Sequence, residues 1–242
     1  MKTLSFRDIK IGRNRDRILL DVESTRGDPQ LGPGLHLIVA PNGKGKTTLL
    51  QTIAGLLPRL SGDFWFGEKT LNPEKDVLYV SEYLTFPKYV YPAEWISFVA
   101  RKPVNLNQGP IVQWVEGLSL QSKVKSYMGR MSQGERRKVT WLAAQESDRS
   151  ILLLDEPLDG LDLLAIRAAR ALIQEWRKRG RIIIVVAHQV AEMLDLADSV
   201  LLIRNQKLLD WKKVMKDDPA KVDPHSFRAR VLEFYSELGE KR

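Results

Sequence analysis

The stretch from Leu35 to Thr48 constrains this chain more than any other. Leu35-His-Leu-Ile-Val-Ala40 reads as a buried strand. It runs without a break into Pro41-Asn-Gly-Lys-Gly-Lys-Thr-Thr48 and then into the helical pattern LLQTIAGLL. Strand, glycine turn and helix in direct succession build a loop whose backbone N–H groups converge on an anion. Gly43 and Gly45 let the backbone curl into that shape, because neither carries a Cβ that opposes a left-handed conformation. The loop also opens a helix, so the positive end of the helix dipole faces the same point. Lys46 supplies a compact cation for the β- and γ-phosphates, and Thr47 supplies a hydroxyl for Mg²⁺. The run Ala40, Pro41, Asn42, Gly43, Lys44, Gly45, Lys46, Thr47 and Thr48 is therefore expected to cradle a nucleotide. One residue departs from the pattern G-x-x-x-x-G-K-[ST]: its first glycine is Ala40, a small side chain at a strand end.

The remaining pattern predicts an α/β fold. Leu4–Ile9, Arg17–Val22 and Gly62–Phe66 read as short strands parted by Gly/Pro turns, and Val77–Val80 is a further apolar run. Pro92–Arg101 and Ile111–Leu118 read as helices inside a segment of residues 83–130 expected to form a small helical subdomain. From residue 131 onward, helices and fully apolar strands alternate. Ser132–Gln145, Asp162–Arg179 and His188–Ala197 read as helices, and Ile151–Leu154, Ile182–Val186 and Ser199–Ile203 as strands. Such alternation predicts a parallel sheet covered on both faces. Residues 212–242 are expected to form a helical tail, with Phe227, Val231, Phe234, Tyr235 and Leu238 on one face.

Composition narrows the classes further. The chain has 242 residues, 43% of them hydrophobic, which is enough for a substantial core and too apolar for disorder. With no cysteine, disulfides, thiolate zinc sites, iron–sulfur clusters and cysteine nucleophiles are excluded. The longest charge-free apolar run, Ile182–Ala187, is far shorter than the roughly 20 residues of a membrane-spanning helix. The opening MKTLSFRDIK has no apolar stretch after its basic residue, so no secretory leader is expected. The net charge of +8 leaves three partners open: nucleic acid, an anionic membrane surface, or nucleotide phosphates beside an ordinary basic face.

A second carboxylate motif follows the loop at a distance. Ile151-Leu-Leu-Leu-Asp155-Glu156 is an apolar strand that ends in two acids. Asp155 is placed to hold Mg²⁺, and Glu156 to orient or deprotonate an attacking water. Upstream lies Met131-Ser132-Gln133-Gly134-Glu135, with the spacing of a capping box at the start of a basic helix. Downstream come Pro157-Leu-Asp-Gly-Leu161-Asp162 and, past the next apolar strand, His188.

In this order, these residues resemble the ATP-binding cassette (ABC) ATPase family over roughly residues 1–210. Met131–Glu135 resembles its LSGGQ signature, with Met for Leu, Gln for the first Gly and Glu for Gln. Leu161-Asp162 resembles the D-loop, and His188 the switch histidine. The resemblance implies one ABC ATPase domain over residues 1–242. It also implies a P-loop NTPase core with a mostly parallel sheet, an N-terminal antiparallel β subdomain and the helical subdomain. ATP and Mg²⁺ are the implied cofactors. Two copies, or this chain and a similar subunit, would pack head to tail, with each ATP capped in trans by Ser132, Gln133, Gly134 and Asp162. Glu156 would be the general base, His188 a γ-phosphate contact, Lys46 the charge stabiliser, and Thr47 with Asp155 the metal ligands.

Two positions depart from the family. Glu82 stands where it usually has Gln, as a third group able to approach Mg²⁺. Together with the text PAEWISFVA, Glu82 is similar to ATPase subunits of the ABC-2 exporter group. No aromatic lies between Phe6 and Phe64, where the family stacks adenine; Arg13 or Arg15 could cover the base instead. The resemblance implies a separate polytopic membrane subunit and a peripheral place on the cytoplasmic face of the cell membrane. Phe86, Tyr89, Tyr91 and Trp95 are then docking residues or subdomain core. The alternative is a non-transport cassette acting on nucleic acid or ribosomes. Such proteins typically carry a long coiled coil between the two motifs, or two cassettes in one chain; here the span from Lys46 to Ser132 holds neither a heptad repeat nor a zinc hook and the chain holds one set of motifs, so no nucleic-acid partner is expected. A GTPase switch should show Asn-Lys-x-Asp, and none is present.

Overall fold

The computed structural model describes residues 2–12, 18–22, 29–81, 85–187 and 190–211, together with Ala229 and Val231. Its centre is a six-stranded sheet that follows from the apolar strands. β3 (Gly34–Val39), β6 (Val77–Ser81), β7 (Ile151–Asp155), β8 (Ile182–Val186) and β9 (Ser199–Arg204) run parallel in the order β9-β3-β8-β7-β6. A sixth strand, β10 (Lys207–Asp210), adds antiparallel to β9. Because side chains alternate along a strand, each central strand feeds two cores. Leu35, Leu37, Val39, Leu152, Leu154, Ile183 and Val185 enter one. Ile38, Ala40, Ile151, Leu153, Ile182, Ile184 and Val186 enter the other.

The second core is closed by α1 (Lys46–Ile53) and by an antiparallel sheet. That sheet has the order β2-β1-β4-β5, from β1 (Leu4–Gly12), β2 (Ile18–Val22), β4 (Ser61–Phe66) and the two-residue β5 (Lys69–Thr70). The sequence suggests that β1 ends at Ile9, but it continues to Gly12 across a bulge between Arg7 and Lys10. The bulge explains why the buried residues shift parity, from Leu4 and Phe6 to Ile9 and Ile11. Asp8 takes a φ of 51° there, and Gly62 faces it at 75°. A Cβ on Gly62 would lie 2.3 Å from the carbonyl oxygens of Arg7 and Asp8, so only glycine fits opposite the bulge.

Helices cover the first core. The short α2 (Pro73–Asp76) leads into β6, and α3 (Pro92–Ala100) and α4 (Val112–Gly117) occupy the 85–130 segment. Its Ile96, Ile111, Val115, Leu118 and Met128 join the sheet residues in one continuous cluster. α5 (Gln133–Glu146) and α6 (Leu163–Lys178) cross with Trp141 stacked on Trp176 at 5.3 Å. The Trp176 indole N–H donates to Gln145 Oε1 at 2.8 Å. The C-terminal carbonyls of α5 would otherwise be orphaned. The Arg181 guanidinium takes those of Ala144, at 2.7 Å, and Ser147, and Arg179 takes that of Gln145 at 3.2 Å.

One expectation needs correction. The helix read over 188–197 is, within the described residues, a 3₁₀ turn at Val190–Glu192 followed by further turns. Val190, Met193, Leu194 and Leu196 are all buried, a spacing that fits either helix, and the N–H groups of Met193 and Leu194 both bond to the Val190 carbonyl. The hairpin β9–β10 escaped notice because its turn is Asn205-Gln206 rather than Asn-Gly. Both residues adopt positive φ, at 49° and 63°, as such a two-residue turn requires. Of the expected tail helix, only Ala229 and Val231 are described; Val231 is fully buried in the first core.

Candidate functional site

The glycine loop leaves the end of β3 and closes on the first turn of α1. Gly45 is the N-cap of α1 at φ 91°, and no side chain caps that end. A Cβ on Gly45 would also meet Leu19 Cβ of β2 at 3.1 Å, so strain and crowding both select glycine. Lys46 is folded inward and buried. Its Nζ donates to the carbonyls of Ala40 at 2.9 Å and Pro41 at 3.4 Å. Burial pushes the ammonium below its ordinary value, and the charges of Glu156 and Asp155 oppose that shift. Ala40 keeps its backbone out of the positive-φ region, and its methyl group is buried among the second core. That is why the missing glycine of the pattern is tolerated.

β7 delivers the two carboxylates beside this loop. Asp155 is buried at 4% exposure. Thr47 Oγ1 donates to its Oδ1 at 3.2 Å, and the Tyr79 hydroxyl donates to its Oδ2 at 2.9 Å. Burial pushes the Tyr79 phenol up to about 12, and the Asp155 charge adds to that rise. Glu156 follows with φ 50°, a left-handed conformation uncommon outside glycine, while its N–H donates to the Val186 carbonyl of β8 at 2.8 Å. Thr47 and Asp155 thus present a hydroxyl and a carboxylate oxygen side by side. A pair of hard oxygen donors next to a phosphate loop suits Mg²⁺, which keeps several waters and takes few protein ligands. Among the described residues no group of three or more acidic, histidine or cysteine side chains could hold a metal alone.

A second cluster forms where α5 and α6 begin. Ser132 caps α5: its Oγ accepts from Glu135 N at 3.2 Å, and Glu135 Oε2 accepts from Ser132 N at 2.8 Å. The Ser132 N–H, with Lys123 adding, holds the Glu135 carboxyl below the usual carboxylate range. Glu in place of the family's Gln therefore completes a capping box. Asp162 caps α6 by accepting from Ala165 N at 2.8 Å, and it also accepts from Lys138 Nζ at 3.0 Å. A Cβ on Gly134 would lie 3.5 Å from the Gly160 carbonyl, so the start of α5 rests directly on the turn before α6. Ser132 and Gln133 face solvent.

Most of the residues singled out in the sequence thus fall into two groups: the loop with Thr47, Asp155 and Glu156, and Ser132 to Gly134 with Asp162. Glu82 and His188 lie outside the described residues, as do Arg13 and Arg15. Phe6 is core, edge-on to Phe64 at 5.6 Å. Of the aromatic quartet, Tyr89 is 82% exposed, whereas Phe86 and Trp95 lie edge to face at 5.3 Å against the first core. Sequence reasoning missed Tyr79 and Lys138. A phenol in an otherwise apolar strand was the available signal for Tyr79. Nothing local marks Lys138.

Comparison with known proteins gives the same family. The manganese transport system ATP-binding protein MntB of Listeria monocytogenes is 30% identical over 182 residues, covering 71% of this chain and 75% of that protein. The sulfate/thiosulfate import ATP-binding protein CysA 1 of Agrobacterium fabrum is 28% identical over 186 residues, or 72% of this chain. Those residues cover 54% of CysA 1, so the chain spans about half the length of that relative. A solved structure described as the ATP binding subunit of an ABC transporter shares the fold, with a TM-score of 0.80 at 20% identity, covering 98% of this chain and 100% of that one. A family model described as ABC transporter matches residues 33–159, more than half of the sequence, and this chain belongs to that family.

Proposed function

We propose that the chain is the ATP-hydrolysing subunit of a membrane transporter, driven by Mg²⁺-dependent hydrolysis between two cassettes. The observation that carries this is the convergence of Lys46, Thr47, Asp155 and Glu156 on one uncapped helix start. The loop N–H groups and Lys46 hold the β- and γ-phosphates. Mg²⁺ supplies charge neutralisation on those phosphates when it is bound, and Thr47 and Asp155 would hold it. Glu156 takes the proton of the attacking water.

The same reading uses Ser132, Gln133, Gly134 and Asp162 in trans. They are grouped at a helix start, and Ser132 and Gln133 are exposed, as a surface offered to a second copy requires. Glu82 and His188 complete the site as a further metal approach and a γ-phosphate contact. No described helix is long and apolar enough to cross a membrane. In this reading the transport pathway belongs to a separate polytopic subunit, with this chain on the cytoplasmic face. The manganese and sulfate/thiosulfate relatives are named as parts of transport systems, which favours this reading over a cassette acting on nucleic acid.

The test is Glu156→Gln. Turnover should fall by about 10²–10⁴-fold, the range for loss of a general base, while ATP binding persists and the chain is trapped as a dimer. Undiminished hydrolysis would remove Glu156 from the mechanism. A chain that stays monomeric with bound ATP would remove the two-cassette arrangement.

A further inference from the structure

Both oxygens of Asp155 have a donor in place. One is Thr47, which belongs to the phosphate-loop pattern; the other is Tyr79, which belongs to no motif. Tyr79 sits on β6, the edge strand of the large sheet, directly opposite Leu153 of β7. Leu153 and Asp155 are two residues apart and share a face. Tyr79 and Leu153 both pack into the second core, the one that α1 closes. The phenol therefore reaches Asp155 from the same side as Thr47. Side-chain hydrogen bonding from Ser81 of β6 and Gln51 of α1 works against the rise in the phenol's pKa. A phenol has one proton to give. Here it goes to Asp155 at 2.9 Å, so the hydroxyl ties that carboxylate to the neighbouring strand β6.

We propose that Tyr79 is a positioning residue for the divalent cation: it holds Oδ2 of Asp155 and thereby presents Oδ1, beside the Thr47 hydroxyl, to the metal. The inference rests on the nucleotide reading above. A carboxylate with a free second oxygen rotates and dilutes its productive orientation; a donor from the next shell removes that freedom. Loss of such outer-shell partners typically lowers metal affinity by about 10–100-fold.

Tyr79→Phe keeps the ring and removes only the hydroxyl. Two quantities are measured on the full chain: ATP affinity in EDTA, and binding of Mn²⁺, a paramagnetic substitute for Mg²⁺, with a non-hydrolysable ATP analogue present. Mn²⁺ affinity should fall by about tenfold, and the Mg²⁺ concentration for half-maximal hydrolysis should rise by a similar factor. Metal-free ATP affinity should stay unchanged. Unchanged Mn²⁺ affinity in Tyr79→Phe would overturn the assignment. So would an equal loss of metal-free ATP binding, because the tyrosine would then support the whole pocket rather than the cation. If the unaltered chain binds ATP neither in EDTA nor with Mg²⁺ present, the nucleotide reading itself fails and takes this assignment with it.

Discussion

The phosphate loop and the signature turn both sit at helix starts, yet they are finished in opposite ways. At α1 the cap is a glycine, no side chain accepts from the first turn, and no acid lies within it. Lys46 is turned back onto two carbonyls of the strand that precedes it. At α5 and α6 one first-turn donor is already taken at each start, Glu135 N by Ser132 and Ala165 N by Asp162. An uncapped start leaves its whole set of donors to an anion, whereas a capped start offers a reduced set. What α5 still offers is the N–H groups of Gln133 and Gly134 and the proton of the Ser132 hydroxyl, whose oxygen is the accepting atom in the cap.

This contrast predicts which function each substitution removes. Of the changes at the two helix starts, Ser132→Arg should give the largest effect, a fall in turnover on the order of 10²–10³-fold, the range for loss of one transition-state donor, with ATP binding by the monomer preserved. Loss of monomer binding would mean that the signature acts within its own chain. Lys46→Ala should act at the other start and in the other quantity. ATP affinity should drop by about 10–100-fold, as expected for a charge-assisted bond, in a titration of the isolated chain. Asp162→Ala should leave ATP affinity of the monomer alone and lower stability by about 1 kcal/mol through loss of the α6 cap, read from the urea midpoint. Its ion pair with Lys138 adds little, because the Asp162 carboxylate is largely exposed.

The smallest effect concerns the strand that carries the loop. His36 of β3 bonds Ser199 Oγ at 2.8 Å through Nδ1 and the Gly32 carbonyl at 2.7 Å through Nε2. Burial pushes its imidazole below the ordinary value; the Gly32 carbonyl and the charges of Asp198 and Asp210 oppose this. Above pH of about 6.5 both folded and unfolded states hold it neutral, and it contributes no pH dependence. As the pH falls through that value, the unfolded chain takes up a proton that the folded chain resists, so stability is lost toward acid. Urea midpoints at successive pH values should show this decline, and His36→Gln should flatten its portion.

Much of the phosphate loop was legible because its chemistry is local. Gly43, Gly45, Lys46 and Thr47 are neighbours in the chain, and their roles follow from strand, turn and helix in series. Asp155 and Glu156 were legible for the same reason, as the end of an apolar strand. The Tyr79–Asp155 and Lys138–Asp162 bonds join residues far apart in sequence, and no local rule places β6 beside β7. The β1 bulge and the Asn205-Gln206 turn escaped because tertiary pairing imposes positive φ on Asp8, Asn205 and Gln206, where propensity alone would put glycine. The turn over 190–196 shows the reverse error. Its apolar residues were read with an α period, although their spacing fits three residues per turn as well.

Arg181 gives α5 a mechanical character. Its guanidinium grips two carbonyls at the blunt end of the helix, which a single ammonium could not span. The opposite tip carries Ser132. Near that tip Lys138 bonds Asp162 at the start of α6, and Lys123 pairs with Glu135. α5 is thus tied to neighbouring elements at both ends, which fixes the spacing between Ser132 and Asp162.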